Sequence, residues 1–288
     1  LSRDTQSVTE KLEGDRYTAA VRLAAGEAAV ITLDISPDEV RAAVAPASCR
    51  PSPRIAGRMP ALPKAAGFHA LVIGLLGLDQ DAAAFARLAR KLGLSRLVAG
   101  RPELRIAQTP SVFDGLLWSI IGQQINFPFA CLLKRRLVER TGTKLDHPLG
   151  LYAPPTPAAV AALEPADLLP LQFSRQKADY VIATSRLILD RQLDLDALRT
   201  MSATRAERTL LAVRGLGPWS VNYLMMRALG FPDCVPLGDT GVTSGLQAAL
   251  QLDERPDIDA TRRLMAMFSP YRSLATAHLW QFNQPIPT

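Results

Sequence analysis

Two glycines separated by one apolar residue, Gly215-Leu216-Gly217, stand between a run that reads as a helix ending near Val213 and another that opens at Pro218. Glycine tolerates positive φ and lets another backbone come close, so these residues are expected to form a tight hairpin, with Leu216 as its anchor in the core. The N–H groups at the start of the second helix then make an anion site of the kind that holds a phosphate. Taken alone, the same residues also describe an ordinary corner between two helices with a glycine stop. Trp219 and Tyr223 are four apart and share one face of the second helix. Aromatic residues at that spacing are usually core; where they are not, they offer electron-rich faces to a cation. Asp239, in PLGDTGV, stands where a helix N-cap is expected. The run Lys134-Arg135-Arg136, with Arg140, is either a solvated helix face or a polyanion contact. His69, His147 and His278 show no metal-ligand spacing and are expected to be structural.

The elements that must position these groups fall into zones of different texture. Residues 1–78 carry alternating or β-branched runs at Tyr17–Leu23 and Ala28–Ile35, then a Pro-rich stretch from Pro46 to Pro63 and the apolar segment Phe68 to Leu78; the zone reads as a small sheet. From Asp79 onward helix follows helix. Asp79 or Asp81 caps the first, Pro128, Thr156-Pro157, Ser174, Ser202 and Pro218 mark later starts, Asp239 and Asp259 precede two more, and Tyr271–Phe282 closes the chain. Short connections make these helices one orthogonal bundle. The expected fold class is α+β, mostly helical with a small N-terminal antiparallel sheet layer. The expected domains are 1–78 and 79–288, the latter divided into 111–231, which holds the hairpin, and 79–110 with 232–288.

Composition narrows the chemistry. The chain has 288 residues, 48% hydrophobic and 21% charged, ordinary values for a folded protein. Its net charge of +6 leans weakly towards a polyanionic partner. The three cysteines, Cys49, Cys131 and Cys234, lie far apart, which argues against an iron–sulfur cluster, a thiolate zinc site or a disulfide scaffold. The opening LSRDTQSVTEKLEGD is too charged for a signal peptide, and the leading Leu leaves room for residues before it. Phe68 to Leu78 is too short for a bilayer span, which needs about 20 apolar residues. A cytoplasmic protein with no membrane partner is expected.

Four segments in register, IIGQQ, RGLGPWSVNY, PLGD and PYRSLATAHLW, resemble the helix–hairpin–helix superfamily of DNA base-excision glycosylases, and within it the AlkA-type 3-methyladenine DNA glycosylases, from about Asp79 to Trp280. The resemblance implies a monofunctional enzyme that flips an alkylated base out of duplex DNA, of the N3-methyladenine or N7-methylguanine type, and hydrolyses its N-glycosidic bond. By the same resemblance Asp239 is catalytic, stabilising oxocarbenium character at C1′ or orienting a water as a base, while it still caps its helix. Trp219, Tyr223 and Trp280 match the pocket aromatics. Thr240 departs from the Tyr that follows the catalytic Asp in that type, and a smaller residue there widens the pocket or shifts lesion preference. Gln124, where that type has Leu, takes the place of the wedge that enters the duplex, with Gln123 beside it. Gly215, Leu216 and Gly217 contact the DNA backbone, and the carbonyls of Leu211, Val213 and Leu216 match those that hold a monovalent cation. Bifunctional relatives carry a Lys two residues past the second hairpin glycine; here that residue is Trp219, and no lysine follows Lys177, so no lyase step and no required cofactor are expected. Damaged double-stranded DNA is the implied partner and a monomer the implied state. The competing expectation is a non-catalytic helix–hairpin–helix protein that binds DNA or senses damage.

Overall fold

Alternation over residues 16–35 builds the centre of the sheet. Arg16–Arg22 (β2) pairs antiparallel with Ala28–Ile35 (β3), with Tyr17 opposite Leu33 and Ala20 opposite Val30. Because side chains alternate between faces, Tyr17, Ala19 and Val21 share one side with Ala29, Ile31 and Leu33, and all six are buried. The opposite face sets Ala20 and Val30 against Leu145, Leu151 and Ala153. Glu10–Glu13 (β1) and Val40–Pro46 (β4) complete the order β1-β2-β3-β4. The computed structural model describes residues 4–23, 26–36, 38–47 and 65–282.

Fourteen α-helices lie in the described residues. In chain order they are Ala65–Leu76 (α1), Ala82–Lys91 (α2), Ser95–Val98 (α3), Val112–Ile121 (α4), Phe127–Thr141 (α5), Pro157–Ala161 (α6) and Pro165–Leu168 (α7). Arg175–Leu189 (α8), Leu195–Thr200 (α9), Ala203–Leu211 (α10), Pro218–Arg227 (α11), Thr240–Leu250 (α12), Ile258–Met265 (α13) and Arg272–Gln281 (α14) follow. The chain is thus mostly helical with a small antiparallel N-terminal sheet. Asp81, Thr156, Ser174, Ser202 and Asp239 each accept a backbone N–H three residues on, as N-caps do.

Two expectations are corrected, and a third lies mostly outside the described residues. Phe68 to Leu78, grouped with the sheet zone, contributes to helix α1; a continuous apolar run carries no period that separates strand from helix. Of the Pro-rich stretch, Pro46 closes β4, and residues 48–63 lie outside the described residues. The cap of α13 is Asp257, whose side chain accepts from Ala260, while Asp259 sits in the first turn and pairs with Arg262.

Backbone contacts gather the described residues of Leu1–Leu75 with Thr109–Ala197, and those of Leu76–Gln108 with Leu198–Thr288. The sheet therefore shares a unit with the helices of 109–197, and the hairpin residues 198–231 share one with the C-terminal helices. Arg22 shows how the first unit is joined: its guanidinium donates to the Pro154 carbonyl and to Thr143 Oγ1. In the second unit α14 runs through the core, and His278 on it is 1% exposed. The His278 ring centroid lies 4.9 Å from that of Phe85, and Nδ1 lies 3.1 Å from the Leu97 carbonyl.

Burial pushes the His278 pKa down to about 4; the Leu97 carbonyl opposes this and the nearby charge of Arg101 reinforces it. The folded value lies below the unfolded one, so stability is complete above about pH 6.5 and is lost as the pH falls towards 4. In urea melts from pH 7.5 to 4, His278→Leu is expected to start less stable than the parent. The gap should narrow by up to about 3 kcal/mol on acidification, because only the parent must protonate a buried ring.

Candidate active site

The α10–α11 hairpin is built from a buried stripe and one glycine. Ala206 and Leu210 of α10 are buried, and Val213 and Leu216 follow them inward, Leu216 at 5% exposure. Leu216 N–H donates to the Val213 carbonyl at 3.1 Å, closing the turn. Gly215 has φ +97, a conformation that disfavours any side chain. Gly217 differs: its φ is −93, which any residue adopts, and a Cβ built there meets nothing within 4 Å. As the N-cap of α11 it brings no side chain to the first N–H groups of that helix. The chain's own packing therefore gives no reason for glycine at 217.

Asp239 is reached through Gly238, whose φ of +85 turns the chain into α12. Its carboxylate accepts three N–H groups from three helices. Val242 N donates to Oδ1 at 3.0 Å, as expected of an N-cap. Trp280 Nε1 donates to the same oxygen at 2.9 Å, and Trp219 Nε1 donates to Oδ2 at 2.9 Å. A carboxylate oxygen has two acceptor positions. Oδ1 is thus filled, and Oδ2 keeps one place for a group from outside. Asp239 is half-buried and Thr240 beside it is exposed.

The aromatic residues form a continuous arc. Trp219 and Tyr223 stack at 5.3 Å and 26°, and Tyr223 meets Trp280 at 5.9 Å and 41°. Tyr223 is 6% exposed and backs the two half-buried indoles, so the accessible ring surface belongs to Trp219 and Trp280. Sequence reasoning treated these tryptophans as flat faces; the structure also uses their N–H groups.

Several groups that sequence reasoning passed over hold the loop carrying Asp239. Asn222 on α11 accepts Val235 N at 3.2 Å through Oδ1 and donates to Glu207 and to the Pro218 carbonyl. Asp233 takes a bidentate grip from Arg272, Nε to Oδ1 and Nη2 to Oδ2 at 2.7 Å each, and also accepts from Ser269. Ser273 accepts Cys234 N and donates to the Phe231 carbonyl. The signal for these lay in SPYRS and in the Asn of WSVNY, where no single residue type announces its partner.

In the other unit, Gln123 and Gln124 lie in the turn between α4 and α5. Gln124 is exposed and has φ +54, a left-handed conformation unusual for a residue with a side chain. The turn is held at both ends: Lys177 Nζ donates to the Ile121 carbonyl at 2.6 Å, and Asn126 Oδ1 accepts Phe129 N. The basic run nearby is engaged within the fold. Lys134 pairs with Asp114 at 3.1 Å, Arg136 donates to Gln172, and Arg140 reaches Asp167. The backbone of Leu211, Val213 and Leu216 lies at the hairpin, where Leu211 is exposed and the Val213 carbonyl already accepts Leu216 N.

A family model described as the HhH-GPD superfamily base excision DNA repair protein matches residues 117–270. The chain is 31% identical over 206 residues to the DNA-3-methyladenine glycosylase of Bacillus subtilis (strain 168), covering 71% of this chain and 68% of that protein. It is 27% identical over 187 residues to DNA-3-methyladenine glycosylase 2 of Escherichia coli (strain K12), covering 65% of this chain and 63% of that one. In fold it resembles a 3-methyladenine DNA-glycosylase from Archaeoglobus fulgidus, with a TM-score of 0.79 at 20% identity over 98% of this chain and 91% of the other.

The Asp233–Arg272 pair carries its own test. Burial would raise the Asp233 pKa, but the hydrogen bonds from Arg272 and Ser269 outweigh it and hold the carboxyl below its usual range. The stabilisation is therefore present above about pH 4 and is lost as the pH falls through the lowered value. Arg272→Met is expected to lose about 1–2 kcal/mol at pH 7, allowing for solvent screening of this partly exposed pair. Chemical denaturation should show that deficit shrinking below pH 4.

Proposed function

The chain belongs to the HhH-GPD superfamily of base excision DNA repair proteins, and from that premise we propose that it is a monofunctional DNA glycosylase. Its substrates on this proposal are alkylated bases in duplex DNA, chiefly of the N3-methyladenine and N7-methylguanine type, and its product is an abasic site. The observation that carries the proposal is the Asp239 carboxylate, clamped by two indole N–H groups and by the start of α12, with one acceptor position left on Oδ2.

Breaking the N-glycosidic bond builds positive charge on the sugar. A carboxylate already fixed in place stabilises that charge without reorganising as the bond breaks. The remaining position on Oδ2 faces C1′ or orients the attacking water; one position serves one of these roles at a time. Alkylation of a ring nitrogen makes the base cationic, a good leaving group that needs no strong acid. The exposed faces of Trp219 and Trp280 attract such a base by about 0.5–2 kcal/mol per good contact. Tyr223 supports both rings from behind, and Thr240 lines the rim.

DNA is held by the hairpin and read by the turn before α5. The uncapped start of α11 suits a phosphate, and the absence of a side chain at Gly217 leaves room for it to approach. Neutral carbonyl oxygens such as those of Leu211, Val213 and Leu216 suit a weakly hydrated monovalent cation, which when bound supplies a positive charge for the phosphate to meet. Gln124, exposed at the tip of its turn, is the side chain assigned to insertion, with Gln123 beside it. Extruding a base costs a few kcal/mol, which the insertion and the pocket must offset. Trp219 stands where a Schiff-base lysine would be needed, so the reaction ends at the abasic site. The protein acts as a monomer in the cytoplasm; among the described residues no helix is long and apolar enough to cross a membrane.

Asp239→Asn keeps a side chain able to cap α12 but removes the charge. It is expected to slow release of methylated bases from duplex DNA by about 10²–10³-fold while still folding and binding DNA, with stability lowered by about 1–3 kcal/mol because the new amide NH2 must face an indole N–H. Release at the parent rate would remove Asp239 from the chemistry, and an unmodified protein that binds but releases no base would make this a binding protein. Gln124→Gly relieves the left-handed strain and is expected to be as stable as the parent or more so, by up to about 1 kcal/mol. Because it also deletes the inserting side chain, its excision rate on duplex DNA should fall, and single-turnover assays beside urea melts check both signs.

A further inference from the structure

Helix α12 carries glycines at 241 and 245, four apart and so on one face. Glycine is among the poorest helix formers, and neither position has the positive φ that would require it. What requires it is contact with α14. A Cβ built at Gly245 would lie 2.5 Å from the Leu279 carbonyl oxygen, so that glycine admits the neighbouring backbone. A Cβ at Gly241 would lie 2.7 Å from Trp280 Cδ1, 3.3 Å from Trp280 Nε1 and 3.1 Å from Asp239 Oδ1. The indole edge that donates to Asp239 rests on the bare Cα of Gly241.

We propose that Gly241 is a positioning residue for this reaction: it seats the Trp280 indole so that its N–H reaches Oδ1 of Asp239. Cδ1 and Nε1 are bonded neighbours in the ring, so a methyl group that displaces one displaces the other and lengthens the 2.9 Å hydrogen bond. Oδ1 then keeps only Val242 N, and the carboxylate is held by two donors instead of three. Gly245 acts at one remove, setting how closely α14 approaches. The missing side chain at Gly241 leaves the space at the start of α12 in which the Trp280 ring edge lies.

The inference rests on the glycosylase proposal for its kinetic consequence but not for its geometry, and the test separates the two. The chain has three tryptophans, so a ¹⁵N–¹H spectrum carries three indole signals, assignable by substitution, with no DNA present. The Trp280 N–H signal should move in Asp239→Asn and move again in Gly241→Ala, while that of Trp118 stays in place. In excision assays Gly241→Ala should lower kcat by about 10- to 100-fold with little change in KM, the loss expected for one hydrogen bond to a charged group. Trp280→Phe should show a similar loss in kcat, and adding Gly241→Ala to it should cost less than threefold more. Should Gly241→Ala fail to fold, recovery of folding in the Gly241→Ala/Trp280→Ala double variant, which removes the ring atom that the methyl group meets, supports the steric seat, and no recovery overturns it. A Trp280 signal unmoved by Asp239→Asn or Gly241→Ala overturns the proposal, as do losses that multiply fully in the double variant. A parent protein that excises nothing but shows both spectral shifts would sink the enzymatic reading and leave the seat standing.

Discussion

The Asp239 carboxylate is half-buried, and its described partners are all uncharged N–H donors: two indoles and a helix N-terminus. A buried charge must be hydrogen-bonded or paired. Pairing with Arg or Lys would have neutralised it. Dipoles orient the carboxylate and compensate for lost water while leaving its whole negative charge to act on whatever approaches Oδ2. The rest of the second unit follows from that constraint, because the three donors come from α11, α12 and α14 and all must be held in register.

The registering is done by groups that never reach the carboxylate. Asn222 ties the approach loop to α11, and the Asp233–Arg272 pair with Ser273 ties it to the start of α14. The far end of α14 is fixed by His278 in the core and by the Arg101 hydrogen bond to the Gln281 carbonyl, so the helix presenting Trp280 is anchored on both sides of it. On the proposal that Asp239 faces the reacting sugar, small displacements of it are costly, which gives these otherwise ordinary polar contacts their weight. Tyr223 contributes by packing, its buried ring in contact with both indoles.

Much of this was legible residue by residue. The caps at Asp81, Thr156, Ser174, Ser202 and Asp239 could be read because an N-cap satisfies its partner three residues away. β2 and β3 were legible because their alternation meets a buried face. The edge strand β4 was not: its side chains are exposed along almost all of its length, and it is held by ladder bonds that leave no pattern in residue type. In the basic run at 134–140, the partners of Lys134, Arg136 and Arg140 are Asp114, Gln172 and Asp167, 20 to 36 residues away, which no local pattern announces. Nor did anything local mark Gln124, in the turn between α4 and α5, as left-handed.

Residue types alone were enough to read most of the longer helices, the hairpin with Leu216 as its anchor, the acidic cap before α12 and, through four motifs in register, the family. These depend on neighbours within a few residues or on patterns that survive without coordinates. It took the folded chain to show that Trp219 and Trp280, 61 residues apart by their numbering, close on one carboxylate through N–H groups rather than ring faces. It alone separated Gly215, glycine for its φ, from Gly217, glycine with empty space beside it, and from Gly241, glycine because a ring lies against it. One letter stands for three different surroundings, and the difference lies in backbone conformation and in what the fold brings next to each Cα.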